Sequence, residues 1–552
     1  FGAPTIRNCI FRDHYAYAYC ALTFSGEHAS GIIIDSCTFS NNQGQYLGGA
    51  VGGIRVSDFL ITNSQFINNS IGDNVNSSAA GALFLGDANG SIVNCYFSQN
   101  SASFGGAIEI LALGEGDFSA LIDQCVFEDN VAAVSGGAIL AVGFNPDYLL
   151  EVTITNSVFT NNRGGNIVTN DGGGGAVTIQ DYASATVEGS SFSNNSAYAG
   201  GAIEFFYGGQ GLVSNCVFED NAAAFGAALD VGFISDLGPR ASIVSIHQST
   251  FNNNTADVSG GAVLATFQGS LTIQQSEFIG NEADYAGAVG FSGETEEGIQ
   301  PSMSVDACYF SDNHGNIEGG AIDFARAKDV EITNCLFTEN SGPGSAIYAS
   351  GYTSDPVNGF LYNNTIVNNE EGIHLGTNSA ISLQNNILYN TSGINYIGQG
   401  NALINSTGGN LVHDSSMGSL LTDPSDIHGA DPLFVAADDF HLSSESPCVD
   451  AGIATDINAL FDLEGNDRIQ GNNIDIGAYE SPFTVDTKEL VLTDHDELDL
   501  FPNPVQNQLS VLLENEWRGR VLIELINAQG QIVYSRQLSK ELERWEQKIL
   551  VA

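Results

Sequence analysis

One motif, Phe-x-x-Asn, occurs eleven times between Phe39 and Asn340. The Phe of each copy stands at Phe39, Phe66, Phe97, Phe127, Phe159, Phe192, Phe218, Phe251, Phe278, Phe310 and Phe337. Successive copies are 26 to 33 residues apart, and self-similarity at a period of about 20–50 residues indicates a solenoid. A propeller is a poorer match because each blade needs about 40 residues. The repeat therefore predicts one long stacked body whose function lies on its outer faces.

Residues 92–110 show how one repeat makes one coil. Alternation around Phe97 predicts a short strand with the ring inward. Asn100 follows at a corner, where its amide can stack on the Asn of the next coil. Gly105 and Gly106 permit a tight corner, and Ile108 begins a second inward-facing strand. With a third, variable strand, this predicts an all-β, right-handed parallel β-helix of about fourteen coils over residues 1–410.

Seven of the nine cysteines stand two residues before a repeat Phe, a position that other repeats fill mostly with Ser. They are Cys9, Cys37, Cys95, Cys125, Cys216, Cys308 and Cys335. Residues two apart on a strand share a face, so the pattern predicts a buried column of free thiols. Cys308 and Cys335, on neighbouring coils, would also lie within disulfide reach.

The chain carries 65 acidic residues against 15 Lys plus Arg, for a formal net charge of -50. Such a chain repels phosphate backbones, which excludes nucleic acid as a partner. The sequence contains no apolar stretch long enough to span a bilayer. Its first residue is Phe1, and the expectation is that a signal peptide has been removed from a secreted protein.

The coupling of Phe-x-x-Asn with Gly-Gly-Ala-Ile over residues 30–350 resembles the repeats of the polymorphic outer-membrane protein family. Members of that family are bacterial surface adhesins with β-helical passenger domains. The resemblance implies the same architecture here and a surface-exposed or released rod.

Residues 411–482 are predicted to contain the last coils and a C-terminal cap. The run from Asp431 to Glu480 resembles the tail segment of secreted "choice-of-anchor" β-helix proteins, which we expect to cover the open last coil. Arg468 is expected to pair with Asp475 or Glu480. Three acids around Gly465 form a candidate oxygen site for Ca²⁺, the one cofactor suggested: Asp462, Glu464 and Asp467.

The composition changes after Pro482, since seven of the fifteen basic residues fall in the last 72 positions. Residues 483–552 resemble the C-terminal sorting domain of type IX secretion substrates, a small immunoglobulin-like β-sandwich. The positions that carry the resemblance are Phe501, Pro502, Asn503, Pro504 and Gly530. It implies the type IX machinery as a partner and a location outside a Gram-negative cell. The chain lacks the Leu-x-x-Gly-x-Tyr strand that usually ends this family, so we expect an incomplete sandwich and a longer natural protein.

The residue after the inward aliphatic of the second strand points outward, and this column contains Glu109, Glu204, Asp230 and Asp323. Glu204 and Asp230 stand on consecutive coils, about 5 Å apart. At that separation one carboxyl can stay protonated, or both can hold a cation. Gln180, Tyr182 and Phe206 are expected to extend this patch with the flat apolar surfaces that sugars favour. In a chain so rich in acids, however, two can also meet by chance and be screened by solvent.

Two functions therefore remain open. The first is a non-enzymatic rod used in adhesion or as an extracellular structural element, with surface glycans or other copies of itself as partners. The alternative is a polysaccharide-binding protein, lyase or hydrolase that uses Glu204 and Asp230. A lyase needs a base beside its acids, and the basic pair noted on the coil body, Arg326 and Lys328, is several turns away.

Overall fold

The structure is a computed structural model, and each statement below concerns the residues that it describes. These are residues 3–17, 21–45, 48–72, 80–165, 172–232, 240–293, 299–353, 356–454, 460–483, 497–501, 508–514, 519–526, 532–540 and 544–550. The chain divides into two compact units, Phe1–Thr484 and Val485–Ala552. Among the described residues all regular elements are β-strands, and no helix is present that could cross a bilayer.

The first unit is a parallel β-helix in which the chain visits four sheets in turn. Sheet 1 has 15 strands: Thr5–Arg7, Ile33–Asp35, Phe59–Thr62, Gly90–Val93, Phe118–Asp123, Leu150–Thr155, Ala183–Glu188, Gln210–Ser214, Ser242–His247, Gly269–Gln274, Met303–Asp306, Val330–Thr333, Val357–Tyr362, Ser379–Gln384 and Leu403–Ser406. Sheet 2 has 16 strands: Ile10–Arg12, Thr38–Ser40, Gln65–Ile67, Tyr96–Ser98, Val126–Glu128, Val158–Thr160, Ser191–Ser193, Val217–Glu219, Thr250–Asn252, Glu277–Ile279, Tyr309–Ser311, Leu336–Thr338, Thr365–Val367, Ile387–Tyr389, Leu411–Val412 and Ile427–His428.

The other two sheets complete each coil. Sheet 3 has 10 strands: Gln43–Gly44, Ser70–Ile71, Ser101–Phe104, Val131–Ser135, Arg163–Gly164, Ser196–Ala197, Ala222–Phe225, Thr255–Ser259, Glu282–Tyr285 and His314–Glu318. Sheet 4 has 14 strands: Leu22–Ser30, Val51–Ser57, Leu83–Gly86, Ile108–Ala112, Ile139–Gly143, Val177–Asp181, Ile203–Phe206, Leu229–Val231, Val263–Phe267, Val289–Gly293, Ile322–Ala325, Ile347–Ser350, Glu371–Leu375 and Ile394–Gly398. The predicted three strands per coil are thus corrected to four in the middle of the rod. The residues after each ladder Asn pair with the next coil and form the short strands of sheet 3.

A column of stacked Phe rings fills the core behind sheet 2. Phe11 and the eleven repeat Phe residues follow one another with ring centroids 4.6–4.9 Å apart and planes within 2–8°. The repeat rings are fully buried. Strand register places Phe97 beside Phe66 and Phe127, which confirms the predicted inward column.

The repeat Asn residues form an uninterrupted buried ladder. Asn195 is typical: its amide nitrogen donates to the Phe159 carbonyl and to Oδ1 of Asn221, both at 3.0 Å. Its own Oδ1 accepts the backbone and side-chain N–H groups of Asn162 at 2.9 and 3.0 Å. Each ladder Asn therefore joins its coil to both neighbouring coils and satisfies backbone groups at the corner, as the sequence predicts.

The two corner glycines have different roles. Gly105 has φ +56°, in the left-handed region that side chains disfavour. A Cβ on Gly106 would lie 2.0 Å from the Gly137 carbonyl oxygen of the next coil. The first glycine therefore permits the turn and the second permits the close approach of coils.

The cysteine column is largely as predicted. Cys37, Cys95, Cys125, Cys216, Cys308 and Cys335 are buried free thiols. Cys9, on the first coil, is free but only partly buried. The thiols of Cys308 and Cys335 contact each other, and burial is the main cause that raises the pKa of Cys335.

Two residues of the connection between the last two strands of sheet 2 join the main core. Met417 and Leu421, between the final two strands of sheet 2, are buried members of the main core. The segment that follows, which we expected to cover the end, packs instead along the flank of the last coils. There Arg468 donates to Oδ1 of Asn334 at 3.0 Å and pairs with Glu480 at 2.9 Å. The prediction that Arg468 pairs with Glu480 is confirmed.

The second unit is described separately and contains two antiparallel sheets. Three strands form one sheet: Glu497–Phe501, Gln508–Glu514 and Arg544–Leu550. Two strands form the other: Gly519–Ile526 and Ile532–Lys540. Of the predicted sorting-signal positions, Phe501 ends the first strand. Pro502, Asn503, Pro504 and Gly530 lie outside the described residues.

Candidate functional site

A cleft of about 570 Å³ opens where the ends of the sheet 3 strands meet the outer face of sheet 4. Six successive coils contribute to its wall, from that of Phe104 to that of Phe267. With coils about 4.8 Å apart, the cleft is about 24 Å long. It is thus long enough for an extended, oligomeric ligand.

Two carboxyls lie at the base of the cleft. Strand register aligns Thr178, Glu204 and Asp230 on three consecutive coils of sheet 4, so Glu204 and Asp230 are neighbours, as the sequence predicts. Both line the cleft, yet they are only 6% and 5% exposed. Solvent therefore screens the interaction between these two carboxyls less than it would at the surface.

The surroundings of Glu204 are specific. The Thr178 hydroxyl donates to its Oε2 at 3.4 Å and also lies 2.9 Å from the Ser135 hydroxyl. The carboxyl rests directly over Gly173, where an added Cβ would meet its oxygens at 2.1–2.2 Å. A glycine at this position is therefore needed to make room for the acid.

Burial controls the protonation of the pair. It raises the pKa of Glu204 to about 8, against the weaker opposing effect of the Thr178 hydrogen bond. Burial and then the charge of Glu204 raise the pKa of Asp230 well above its ordinary range. Near neutral pH such a pair can donate or accept protons in hydrogen bonds to a ligand, or ionise against a cation.

Half-exposed aromatic rings line the walls of the cleft: Phe104, Tyr198, Phe206, Phe225 and Phe267. Tyr198 and Phe225 contact edge to face, with centroids 5.5 Å apart. Phe267 has φ +55°, a strained conformation for a bulky residue and one that is concentrated at binding sites. The cleft therefore combines flat apolar surfaces with convergent carboxyls, as ligand sites do.

The predicted patch residues are divided between two places. Gln180 and Phe206 line the cleft with the acid pair. Tyr182 is not among the described residues that line it, because its ring packs on Arg240. The Arg240 guanidinium lies 4.3 Å from both the Tyr182 and Tyr207 ring centroids and 2.5 Å from Oδ1 of Asp181. Arg240 was not singled out from the sequence.

The other acids of the column lie away from this pair. Glu109 is three coils before Glu204, and Asp323 is three coils after Asp230. Glu109 is 5% exposed, and its Oε2 has no hydrogen-bond partner among the residues that the structure describes. Burial raises the pKa of Glu109 to about 8, and that of Asp323 is raised to about 7 by burial and then Glu318.

We expect the stability of the β-helix to fall as the pH rises from about 5 to about 9. The folded chain keeps a proton on Glu109 up to its pKa of about 8, whereas the unfolded chain loses it near 4.5. The stabilisation is complete below the unfolded pKa and is lost as the pH passes the folded one, on the order of 2–5 kcal/mol. Melting temperatures measured across this pH range should show a shallower fall in Glu109→Gln. The control is Glu151→Gln at an exposed position on sheet 1; identical slopes in all three proteins would contradict the assignment.

The three acids suggested for Ca²⁺ are not gathered around one point. Asp462 accepts backbone N–H groups from Glu464 at 3.0 Å and from Asn466 at 2.7 Å. Glu464 lies 3.2 Å from Nε2 of His441, and Asp467 bridges to the backbone of Phe461. In the described part of the chain, no group of three or more His, Cys, Asp or Glu residues is placed to hold a metal ion. Asp462 instead organises the turn in which it lies.

The parallel β-helix and its matches to known families define the class of this protein. The chain belongs to the family described as the right-handed β-helix region, which matches residues 2–174, 113–299 and 241–412. The family described as the secretion system C-terminal sorting domain matches residues 499–551. The protein is therefore a secreted β-helix that uses the type IX machinery and reaches the surface or surroundings of a Gram-negative cell.

Two relatives share part of the sequence. One is the metabotropic glutamate receptor-like protein R of Dictyostelium discoideum, 28% identical over 210 residues, which are 37% of this chain and 11% of the relative. The other is the probable autotransporter YfaL of Escherichia coli strain K12, 26% identical over 263 residues, 46% of this chain and 18% of the relative. The match thus spans less than a fifth of either relative.

Three solved structures are similar to this chain. Pectate lyase Pel9A has a TM-score of 0.35 and 11% sequence identity, and the match covers 71% of this chain and 88% of that one. For the Streptococcus pneumoniae surface adhesin PfbA the TM-score is 0.29 and the identity 12%, with 70% of this chain and 85% of that one covered. For the Azotobacter vinelandii mannuronan C-5 epimerase AlgE6 A-module the TM-score is 0.25 and the identity 10%, with 72% and 89% covered. At these scores the likenesses carry no argument about activity.

Proposed function

We propose that this protein is an extracellular adhesion rod that holds a polysaccharide in the cleft between sheets 3 and 4. The observation that carries the proposal is the lining of the cleft, in which five aromatic rings surround Glu204 and Asp230. Aromatic faces bind the apolar faces of sugar rings, while carboxyls and the Gln180 amide suit hydroxyl groups. Export to the cell surface places such a cleft where it meets polysaccharides.

Glycoside hydrolysis is the second candidate, and the acid pair is the observation that favours it. Carboxyls about 5 Å apart suit a retaining mechanism, in which one acid protonates the leaving oxygen while the other attacks. The raised pKa of Glu204 suits the proton donor. Hydrolysis is favoured over β-elimination because the described lining contains no Lys, Arg or His to act as a base.

We expect Phe206→Ala to weaken polysaccharide binding at least about fivefold, since an aromatic contact is worth about 1 kcal/mol beyond its buried area. A glycan array carrying neutral, acidic and amino polysaccharides identifies the ligand, and calorimetry then compares the variants. The matched control is Phe360→Ala, a similarly exposed ring on sheet 1. Binding unaffected by Phe206→Ala, or lost equally in the control, would refute the proposed site.

The same material distinguishes binding from hydrolysis. Release of reducing ends that disappears in Glu204→Gln would establish the enzyme. Binding without release, retained over prolonged incubation, would establish the adhesion rod.

A further inference from the structure

We propose that the ligand of the cleft is a polysaccharide that carries amino groups, whose ammonium charges are held by Glu204 and Asp230. The inference rests on the proposed function and names its substrate class. Three observations support it: the carboxyls have few hydrogen-bond donors, aromatic rings line the cleft around them, and the chain as a whole is strongly acidic.

The carboxyls are poorly satisfied by the protein. Asp230 is 5% exposed, lines the cleft and has no hydrogen-bond partner among the described residues. Glu204 has the hydroxyl of Thr178, at 3.4 Å, as its hydrogen-bond donor. Burying carboxyls without donors is unfavourable, so the arrangement gains stability from a ligand that brings donors or positive charge.

The protein supplies no cation to this pair in the part of the cleft that the structure describes. Its lining includes no Lys, Arg or His. In the sequence, residues 166–171, before Gly172, and residues 233–239, after Gly232, contain no Lys, Arg or His either. Arg240 is held by Asp181 and by the rings of Tyr182 and Tyr207. A positive charge against which this pair ionises would therefore come from the ligand.

The rest of the cleft and of the chain favours the same ligand. Aromatic faces attract cations within about 6 Å, and five rings line the walls. A net charge of -50 draws cationic polymers towards the chain and repels polyuronates. A divalent metal is a less suitable occupant, since no group of three potential ligands is present in the described residues.

The test compares two oligosaccharides that differ in charge. Glucosamine and N-acetylglucosamine oligomers of equal length are titrated by calorimetry at about pH 6, where amines are protonated. We expect the glucosamine oligomer to bind at least tenfold more tightly. The preference should disappear in the double variant Glu204→Gln with Asp230→Asn and persist in Asp323→Asn, an acid three coils away on the same face. Titrations in two buffers of different ionisation enthalpy should show proton release, as the carboxyls ionise against the amine.

Each result decides between the two proposals. Equal or tighter binding of the acetylated oligomer, or a preference that survives in the double variant, would overturn the amino-polysaccharide inference and leave the glycan site standing. Binding of Ca²⁺ that is lost in the double variant would assign the missing charge to a metal and would also overturn it. No binding by any polysaccharide on the array would overturn both.

Discussion

Replacing Asn195 by Ala is expected to lower the free energy of unfolding by about 3–6 kcal/mol. The change removes four buried hydrogen bonds at once, two donated to the Phe159 carbonyl and Asn221 and two accepted from Asn162. It also leaves the Phe159 carbonyl and the Asn162 N–H groups buried without these partners, and such groups are costly. Denaturation by guanidinium, followed by circular dichroism, measures the loss.

Asn358→Ala is the control for this experiment. Asn358 is exposed on sheet 1 and belongs to no ladder, so its replacement should change stability by less than about 0.5 kcal/mol. If Asn195→Ala were no more harmful than Asn358→Ala, the ladder would not be a principal source of stability.

Phe192→Ala is expected to cost about 3–5 kcal/mol, the usual range for deleting a buried aromatic ring. Its ring lies 4.7 Å from that of Phe159 and 4.9 Å from that of Phe218, and the residue is fully buried. Neighbouring coils are fixed by their backbone ladders, so they cannot collapse to fill the space.

The comparison with Phe192→Leu separates volume from stacking. Leucine restores most of the buried volume, so it should recover a large part of the loss but not the ring contacts. Guanidinium denaturation again reports both variants. Equal stability of the Ala and Leu variants would show that the column does not depend on filling its volume.

The coil could be predicted because each of its parts has a local chemical signature. A Phe within an alternating apolar pattern indicates an inward-facing strand residue. An Asn three residues later indicates a corner, and paired glycines such as Gly105 and Gly106 indicate a second, tight corner. The strands of sheet 3 were missed because pairs such as Gln43–Gly44 are too short to show alternation. Met417 and Leu421 were missed because two apolar residues in a turn-rich connection have no period.

The candidate site was predictable only in part. The pairing of Glu204 with Asp230 follows from register, which a regular repeat determines. The burial of these two carboxyls does not follow from register, because it depends on a wall of the cleft that sheet 3 contributes. A signal was nevertheless present, because Phe104 and Phe225 each stand directly before a corner glycine and Tyr198 stands two residues before one.

The burial of Met417 and Leu421 bears on how copies of this protein can associate. Both side chains are part of the main core near the C-terminal end of the β-helix. Less apolar surface is therefore left there for a second copy to bury, and end-to-end association through this terminus would gain less from the hydrophobic effect.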